Sequence, residues 1–153
     1  MGHGAPIGVS PERTDSPNRA WLLATGAAFR KPVVLVSTSA DAGNTGERTT
    51  KLRSGLVLAK VTAAGPDQGK YAPCNEAATD GTGAAMGILL SKIDMLDDEG
   101  VAAERGATLL FGPAFVDAAK CFCTTGGSQT TLAACATSLT ALRGDGMVFK
   151  GDA

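Results

Sequence analysis

The stretch Ser54-Gly-Leu-Val-Leu-Ala-Lys-Val-Thr62, followed by Ala64-Gly-Pro-Asp-Gln-Gly69 and Lys70-Tyr-Ala-Pro-Cys74, decides the fold class. Two strand-like runs flank a turn rich in glycine and proline, which is the pattern of a β-hairpin. Because proline has no backbone N–H to give to a sheet, Pro73 predicts that the second strand is short or lies at an edge. The centre of the chain is therefore expected to be β-structure.

Further strand-forming segments lie on both sides of this hairpin. Pro32-Val-Val-Leu-Val-Ser-Thr38 is β-branched and begins at a proline, so it predicts a strand. The apolar runs at 84–93, 107–116 and 147–149 predict three more strands, with a bulge or bend at Gly112-Pro113 in the second. The acidic segment 94–104 predicts a loop or a single helical turn.

One helix is predicted near the C-terminus. Apolar and small residues recur there at helical spacing, at Leu132, Cys135, Ala136 and Leu139. Ser128 is suited to cap the start of this helix, and Gly144 to end it. The sequence thus predicts an α+β, mostly β fold: a small β-rich domain with one C-terminal helix and an extended N-terminal arm.

Residues 1–50 are assigned to the N-terminal arm and first strand, and residues 51–153 to the β-rich domain. The first 18 residues are rich in glycine, proline and serine and have little apolar periodicity, so they cannot form a core alone. Trp21 forms a small apolar cluster with the two leucines after it. This cluster either anchors on another protein or folds back on its own domain, and both alternatives stay open.

Composition excludes several classes of partner. The net charge is −1, without the excess of lysine and arginine that nucleic-acid binding requires. No apolar run approaches the roughly 20 residues of a membrane-spanning helix. The N-terminus lacks the basic and apolar segments of a secretory signal, so we expect synthesis in a host cytoplasm.

The four cysteines, Cys74, Cys121, Cys123 and Cys135, are expected to be reduced thiols. A zinc site built from all four thiolates is the alternative. The C-x-C spacing is not that of a C-x2-C zinc knuckle, and Cys74 and Cys135 have no close partner in the sequence. We therefore expect no metal site.

Other patterns that resemble chemical sites have simpler explanations. Gly81-Thr-Gly-Ala-Ala-Met-Gly87 resembles a dinucleotide-binding loop but lacks the preceding strand and following helix, so no cofactor is expected. The carboxylates of Asp94, Asp97, Asp98 and Glu99 lack the EF-hand spacing and predict a solvated loop.

Catalysis is not supported by any motif. The single histidine, His3, lies near the N-terminus with nothing to orient it as a general base. Arg143-Gly-Asp145 matches an integrin-binding tripeptide, but it lies where the helix should end, and capping explains the glycine. We predict that the chain is not an enzyme.

Four segments in the middle of the chain occur in a recognisable order. They are Leu52-Arg-Ser-Gly-Leu-Val-Leu-Ala-Lys60, Gly69-Lys-Tyr-Ala-Pro73, Ala78-Thr-Asp-Gly-Thr-Gly-Ala-Ala-Met-Gly-Ile-Leu89 and Thr108-Leu-Leu-Phe-Gly-Pro-Ala-Phe115. As an ordered set they resemble the bacteriophage head decoration protein family, the capsid cement proteins typified by protein D of phage lambda. The resemblance covers residues 50–116 and departs from compact members in a longer N-terminal region and insertions around 43–50 and 121–129.

The resemblance implies a viral structural protein on the outer surface of the capsid. It implies a homotrimer that binds the major capsid protein at three-fold and quasi-three-fold positions and stabilises the expanded shell. An N-terminal arm would order against the capsid protein, partly by adding a strand to it. We expect the capsid contacts at Trp21, Leu22, Leu23, Pro32, Val33, Val34, Leu35 and Val36.

Two other functions stay open from the residues alone. A biotinyl or lipoyl carrier domain shares the strand–turn–strand pattern, and Lys92 is the candidate for its modified lysine, although the flanking pattern is missing. A glycan-binding surface module is the second alternative. The small number of aromatic residues weakens it, because sugar stacking favours exposed tryptophan and tyrosine.

Overall fold

The computed structural model describes residues 20–24 and 29–152. In this part of the chain short β-strands predominate and one α-helix, α1, spans Ala136–Gly144. The strands are β1 (Leu22–Ala24), β2 (Phe29–Leu35), β3 (Lys51–Leu52), β4 (Val57–Lys60), β5 (Tyr71–Pro73), β6 (Ala85–Leu89), β7 (Ile93–Asp94), β8 (Arg105–Phe111), β9 (Ala114–Val116), β10 (Phe122–Thr125), β11 (Ser128–Thr131) and β12 (Met147–Phe149). The α+β, mostly β fold predicted from the sequence is confirmed. None of the described helices is long and apolar enough to cross a bilayer.

Five strands form a small closed barrel in the order β2-β5-β4-β6-β8. The hairpin predicted from the sequence supplies its antiparallel β4–β5 pair, with Ala59 opposite Ala72. Strand β8 pairs with β6 on one side and with β2 along all seven residues on the other. The barrel is thus built from segments whose sequences predicted strands, except that β2 spans Phe29–Leu35 where the strand was predicted over residues 32–38.

A second layer packs against the barrel. It contains a three-stranded sheet in the order β1-β9-β12, the hairpin β10–β11 and helix α1. The chain passes from barrel to sheet at Gly112-Pro113, where β8 ends and β9 begins after a glycine with a φ of +75°. This is the bend that the sequence predicted there.

The core consists of two apolar clusters, one on each face of strand β4. Successive side chains of a strand point to opposite faces, so Leu58 joins one cluster while Val57 and Ala59 join the other. Because both faces of β4 are covered, its sequence is a continuous apolar run and does not alternate between apolar and polar residues. The barrel-side cluster contains Val33, Leu35, Leu52, Leu56, Leu58, Tyr71, Leu89, Met95 and Leu109.

Two local predictions differ from the structure. Ser128 does not cap the helix: it lies in β11, which turns back on β10 through Gly126 and Gly127, both with positive φ. A 3-10 turn at Leu132–Ala134 follows, and α1 starts only at Ala136, so the N-terminal half of the predicted helix was wrong. A hairpin forms here instead of the first turns of the predicted helix, because the adjacent glycines permit a tight turn that pairs β11 with β10.

Candidate interaction surface

Strand β2 has one edge that is only partly paired. Its residues Phe29–Leu35 pair with β8 throughout, whereas its pairing with β5 is confined to Leu35 opposite Tyr71, extended by a 2.9 Å hydrogen bond from Val36 N to Tyr71 O. Within the described residues no strand pairs with β2 at this edge between Phe29 and Val34. The barrel is therefore closed at β2 only through Leu35 and Val36, and the rest of this edge of β2 has no partner strand within the described residues.

The direction of the backbone groups at this edge follows from alternation along the strand. Since the N–H of Val36 is directed to β5, the backbone groups of Val34, Pro32 and Arg30 also face this side. Proline fits here, because a position facing the open edge needs no N–H for the β8 ladder. The open edge thus offers the backbone N–H of Val34 and the backbone N–H and C=O of Arg30. Pro32 lies between them and limits indiscriminate pairing.

A groove of about 660 Å³ runs along the open edge, between β2 and the turn that joins β4 to β5. Lys31, Lys60 and Lys70 line it together with a single carboxylate, Glu104. Lys70 is ion-paired with Glu104 and, at 2.9 Å, with Asp67, and these bonds raise the pKa of Lys70 above its usual value. The groove is therefore net positive.

Exposed apolar side chains lie beside the same strand. Phe29 is 57% exposed and Val34 is 46% exposed. The Phe29 ring contacts that of Phe111 at a centroid distance of 5.7 Å, and Met86 lines the same shallow cavity. An unpaired strand edge beside exposed aromatic residues is typical of a surface that binds another polypeptide.

The structure decides between the two alternatives for Trp21. The indole is buried in its own domain, donates a 2.9 Å hydrogen bond to Oγ of Ser54, and packs in the cluster beneath α1. The backbone O of Trp21 accepts a 2.7 Å bond from Asp117 N. Trp21 therefore folds back on its own domain, and its side chain is not a free anchor.

The remaining predicted contact residues divide by exposure. Val33, Leu35 and Val36 are buried within the barrel, and Leu22 is half-buried against the neighbouring cluster. Pro32, Val34 and Leu23 are exposed. The side chains available for contact are these three, while the buried ones position the β2 backbone.

Three of the four cysteines meet in the interior, although their spacing in the sequence argued against a common site. Sγ of Cys123 lies 3.2 Å, and that of Cys74 3.7 Å, from Oγ of Ser138. Sγ of Cys123, Sγ of Cys135 and a carboxylate oxygen of Glu76 all lie within 4.8 Å of one another. The four residues Cys74, Cys123, Cys135 and Glu76 are together called the thiol cluster.

The thiols of the cluster influence one another's protonation. A hydrogen bond to Cys123, reinforced by burial, raises the pKa of Cys74, and the same bond lowers the pKa of Cys123 to about 7. Burial raises the pKa of Cys135 to about 12. Cys121 lies apart, with its Sγ 3.6 Å from the backbone O of Asp117.

The other candidate segments have structural roles. In the run 81–87, Gly81 has a φ of +103° in a turn, and a Cβ on Gly87 would lie 2.5 Å from the backbone O of Leu110. The run therefore forms a turn and lets β6 approach β8. In the acidic loop, Asp97 accepts bonds from the backbone of Glu99 and Val101. His3 lies outside the described residues.

Lys92 follows β6 and forms a 3.2 Å ion pair with Glu47. A carrier domain requires its lysine free at a hairpin tip, so this position gives the carrier alternative no support. The burial of Trp21 likewise removes the only tryptophan from any sugar-stacking surface. Neither alternative gains from the geometry.

Comparison with known families identifies the family of the chain. The model of the family described as bacteriophage lambda head decoration protein D matches residues 35–112, half of the chain. Searches of curated proteins and of solved structures gave no match. This family match confirms the resemblance seen in the sequence. The family is one of structural capsid proteins and not of enzymes. This protein belongs to the bacteriophage lambda head decoration protein D family, and its role is decoration of the phage capsid in the virion.

Proposed function

We propose that this protein binds the major capsid protein at three-fold and quasi-three-fold positions of the expanded shell, as a homotrimer on the outer surface. The observation that carries the proposal for this chain is the open edge of β2 at residues 29–34, within reach of a strand from another polypeptide. The expected contacts are the backbone of this edge and the side chains of Pro32 and Val34.

Strand addition is the mode of binding that this edge supports best. Main-chain hydrogen bonds at Arg30 and Val34 would supply affinity, and the flanking groove would select side chains of the incoming strand. The positive lining of the groove favours an incoming segment with acidic residues. Phe29 and Val34 would add apolar burial at about 25 cal/mol for each Å² removed from water.

Trimerisation multiplies these contacts. Each chain contributes a β2 edge and residues 1–19, which lie within the N-terminal arm that the sequence predicts over residues 1–50. Once one chain of a trimer is docked, the other two bind at a high effective concentration, so individually weak contacts add up to strong retention.

Stabilisation of the shell follows by mass action. A protein that binds the expanded shell and not its precursor shifts the equilibrium toward the expanded state. The extent of the shift grows with the ratio of free protein concentration to the dissociation constant. No covalent chemistry is required for this role.

Co-sedimentation with capsids tests the proposal. We expect the purified protein to pellet with expanded shells, to saturate at a fixed ratio to capsid protein, and to remain in the supernatant with unexpanded shells. Equal binding to both forms, or to neither, would contradict it. Native mass spectrometry of the protein released from shells tests the stoichiometry, with trimers expected and monomers alone contradicting that part.

Removal of residues 1–19 separates the two contributions. This deletion leaves Trp21 and all of β2 in place, so the described fold keeps its contacts. We expect reduced but measurable binding to expanded shells, because the β2 edge remains. Unchanged affinity would show that the predicted arm contributes nothing.

A further inference from the structure

A group of potential metal ligands lies in the core cluster beneath α1, which is not the cluster that contains the buried β2 residues Val33 and Leu35. The thiol cluster takes Cys74 from the loop after β5, Cys123 from β10 and Cys135 from the residue before α1. All three sulfurs belong to buried residues. The fourth member, Glu76, is half-buried and borders solvent, which gives an ion a route into the cluster.

The ligand types in this cluster are those that zinc selects. Thiolate sulfurs bind Zn²⁺ at about 2.3 Å and a carboxylate oxygen at about 2.1 Å, in a tetrahedral arrangement. Two sulfurs of such a site are then about 3.8 Å apart. The ligand atoms of Cys123, Cys135 and Glu76 are separated by up to 4.8 Å. Side-chain movements of about 1 Å would bring them to the separations of a tetrahedral zinc site.

We propose that Cys74, Cys123, Cys135 and Glu76 form a structural zinc site that joins three distant segments of the chain. Cys123, Cys135 and Glu76 supply three ligands, and Cys74, whose Sγ lies 3.7 Å from Oγ of Ser138, supplies the fourth by moving toward Cys123 when the ion binds. With four protein ligands the site is closed and has no position for a substrate. Cys123 and Cys135 lie beyond the family match, which covers residues 35–112, whereas Cys74 and Glu76 lie within it. None of the four ligands belongs to β2, so the site is independent of the proposed capsid contacts.

The surroundings of the thiol cluster favour the negative charge that it would carry with zinc bound. Binding of Zn²⁺ displaces the thiol protons to solvent, and three thiolates with one carboxylate leave a net charge of −2 at the site. The cluster lies at the N-terminus of α1, whose first N–H groups favour negative charge. A carboxylate oxygen of Glu76 accepts a 2.7 Å bond from Ser138 N, which orients the carboxylate beside the thiols.

The consequence for the fold is a link between barrel and outer layer. The ligands span residues 74–135, and closing a loop of that length by a metal restricts the unfolded chain strongly. We expect Zn²⁺ to raise the melting temperature of the reduced protein. Chelation is expected to lower it again without a loss of secondary structure, since apolar side chains make up most of both core clusters.

Cobalt(II) substitution tests the site directly on the full-length reduced protein. We expect a single equivalent of Co²⁺ to bind and to give the sulfur-to-cobalt charge-transfer and visible bands of a tetrahedral thiolate site, and Zn²⁺ to abolish these bands by displacement. Absence of both bands at protein and cobalt concentrations of about 100 μM would overturn the proposal, because structural thiolate sites bind far more tightly.

Cys121 provides the matched control. Cys121→Ser and Cys123→Ser make the same change at fully buried cysteines, and only the second lies in the cluster. We expect C123S and C135S to lose the cobalt bands and the zinc-dependent rise in melting temperature, and C121S to keep both. Equal loss in C121S and C123S, with both folded by circular dichroism, would contradict the assignment.

Zinc-edge X-ray absorption of the wild-type protein covers the case in which C123S does not fold. We expect a first shell of three sulfurs at about 2.3 Å and one oxygen at about 2.1 Å. A shell made only of oxygen and nitrogen would show an adventitious ion and overturn the proposal.

Discussion

The indole Nε1 of Trp21 donates a hydrogen bond to Oγ of Ser54, 33 residues away, and Oγ of Ser54 in turn donates to the backbone O of Leu90. The N-terminal segment is thereby joined to the loop before β4 and to the end of β6. Both polar atoms are buried, and Oγ of Ser54 is the hydrogen-bond acceptor that the indole N–H of Trp21 requires. Residues 20–24 are consequently part of the folded domain, and only the chain before them remains for an arm.

Replacement of Trp21 by alanine is expected to lower the free energy of unfolding by about 3–5 kcal/mol, because it removes a large buried ring. Equilibrium urea unfolding, followed by circular dichroism, measures the change. Leu23→Ala, two residues further along in β1, is the control: its side chain is 43% exposed and the expected loss is below about 1 kcal/mol. A similar loss in both variants would contradict the anchoring role of Trp21.

Gly55 allows Trp21 to approach the chain before β4. Its φ is +97°, and a Cβ there would lie 3.0 Å from Cδ1 of Trp21. Gly55→Ala is therefore expected to cost about 1–3 kcal/mol, from backbone strain and displacement of the ring. Gly46→Ala, with no neighbour within 4 Å, is expected to be neutral in the same urea titration. A neutral result at Gly55 would be incompatible with the described packing.

The buried carboxylate of Asp41 makes the free energy of unfolding depend on pH in the acidic range. The carboxylate is fully buried and accepts bonds from Nε and Nη2 of Arg53 at 2.7 and 2.8 Å. Burial alone would raise the pKa of Asp41, but the bonds from the side chain and backbone of Arg53 outweigh it and hold the pKa below its usual value. Its stabilisation is therefore complete above pH of about 4 and is lost as the pH falls through the lower folded-state value.

The variant Asp41→Asn tests this dependence. Without the carboxylate, Arg53 keeps no charged partner at that position, and we expect a loss of about 3 kcal/mol at pH 7. Unfolding free energies measured from pH 7 to pH 3 are expected to fall less steeply in the variant than in the wild type. Asp98→Asn, at an exposed position, is the control and should follow the wild-type curve. An unchanged acid slope in D41N would refute the pKa assignment.

Two valines of similar exposure test the β2 surface. Val34 on the open edge is 46% exposed, and Val148 in β12 is 50% exposed. Val34→Lys places a charge where apolar contact is expected, and we predict at least about tenfold weaker binding to expanded shells. Val148→Lys should bind as the wild type does. The reverse order in a co-sedimentation titration would place the contact on the β12 face.

The strands of the barrel were predictable because their signals are local. Val57–Lys60 and Ala85–Leu89 are apolar runs bounded by turn residues, and both form strands where expected. The hairpin β10–β11 was missed because threonine, serine, glutamine and cysteine give no clear alternation of apolar and polar residues. The adjacent glycines 126 and 127 were the available signal, and they also displaced the predicted start of the helix.

The contacts that join distant segments were not predictable. Nothing near Trp21 in the sequence identifies Ser54 as its partner, so the choice between anchor and core residue depended on the tertiary structure. The same holds for Cys74 and Cys135, which lack neighbours in the sequence but meet Cys123 in space. The open edge of β2 was only half predicted: the strand itself is local, but its incomplete pairing with β5 depends on the length of the β4–β5 hairpin.

The most direct test of the account is a high-resolution electron cryomicroscopy map of expanded shells saturated with this protein. The account predicts density for a strand of the major capsid protein paired with residues 29–34 at three-fold and quasi-three-fold positions. A map in which that edge faces solvent, or is covered only by residues of the same chain, would contradict it.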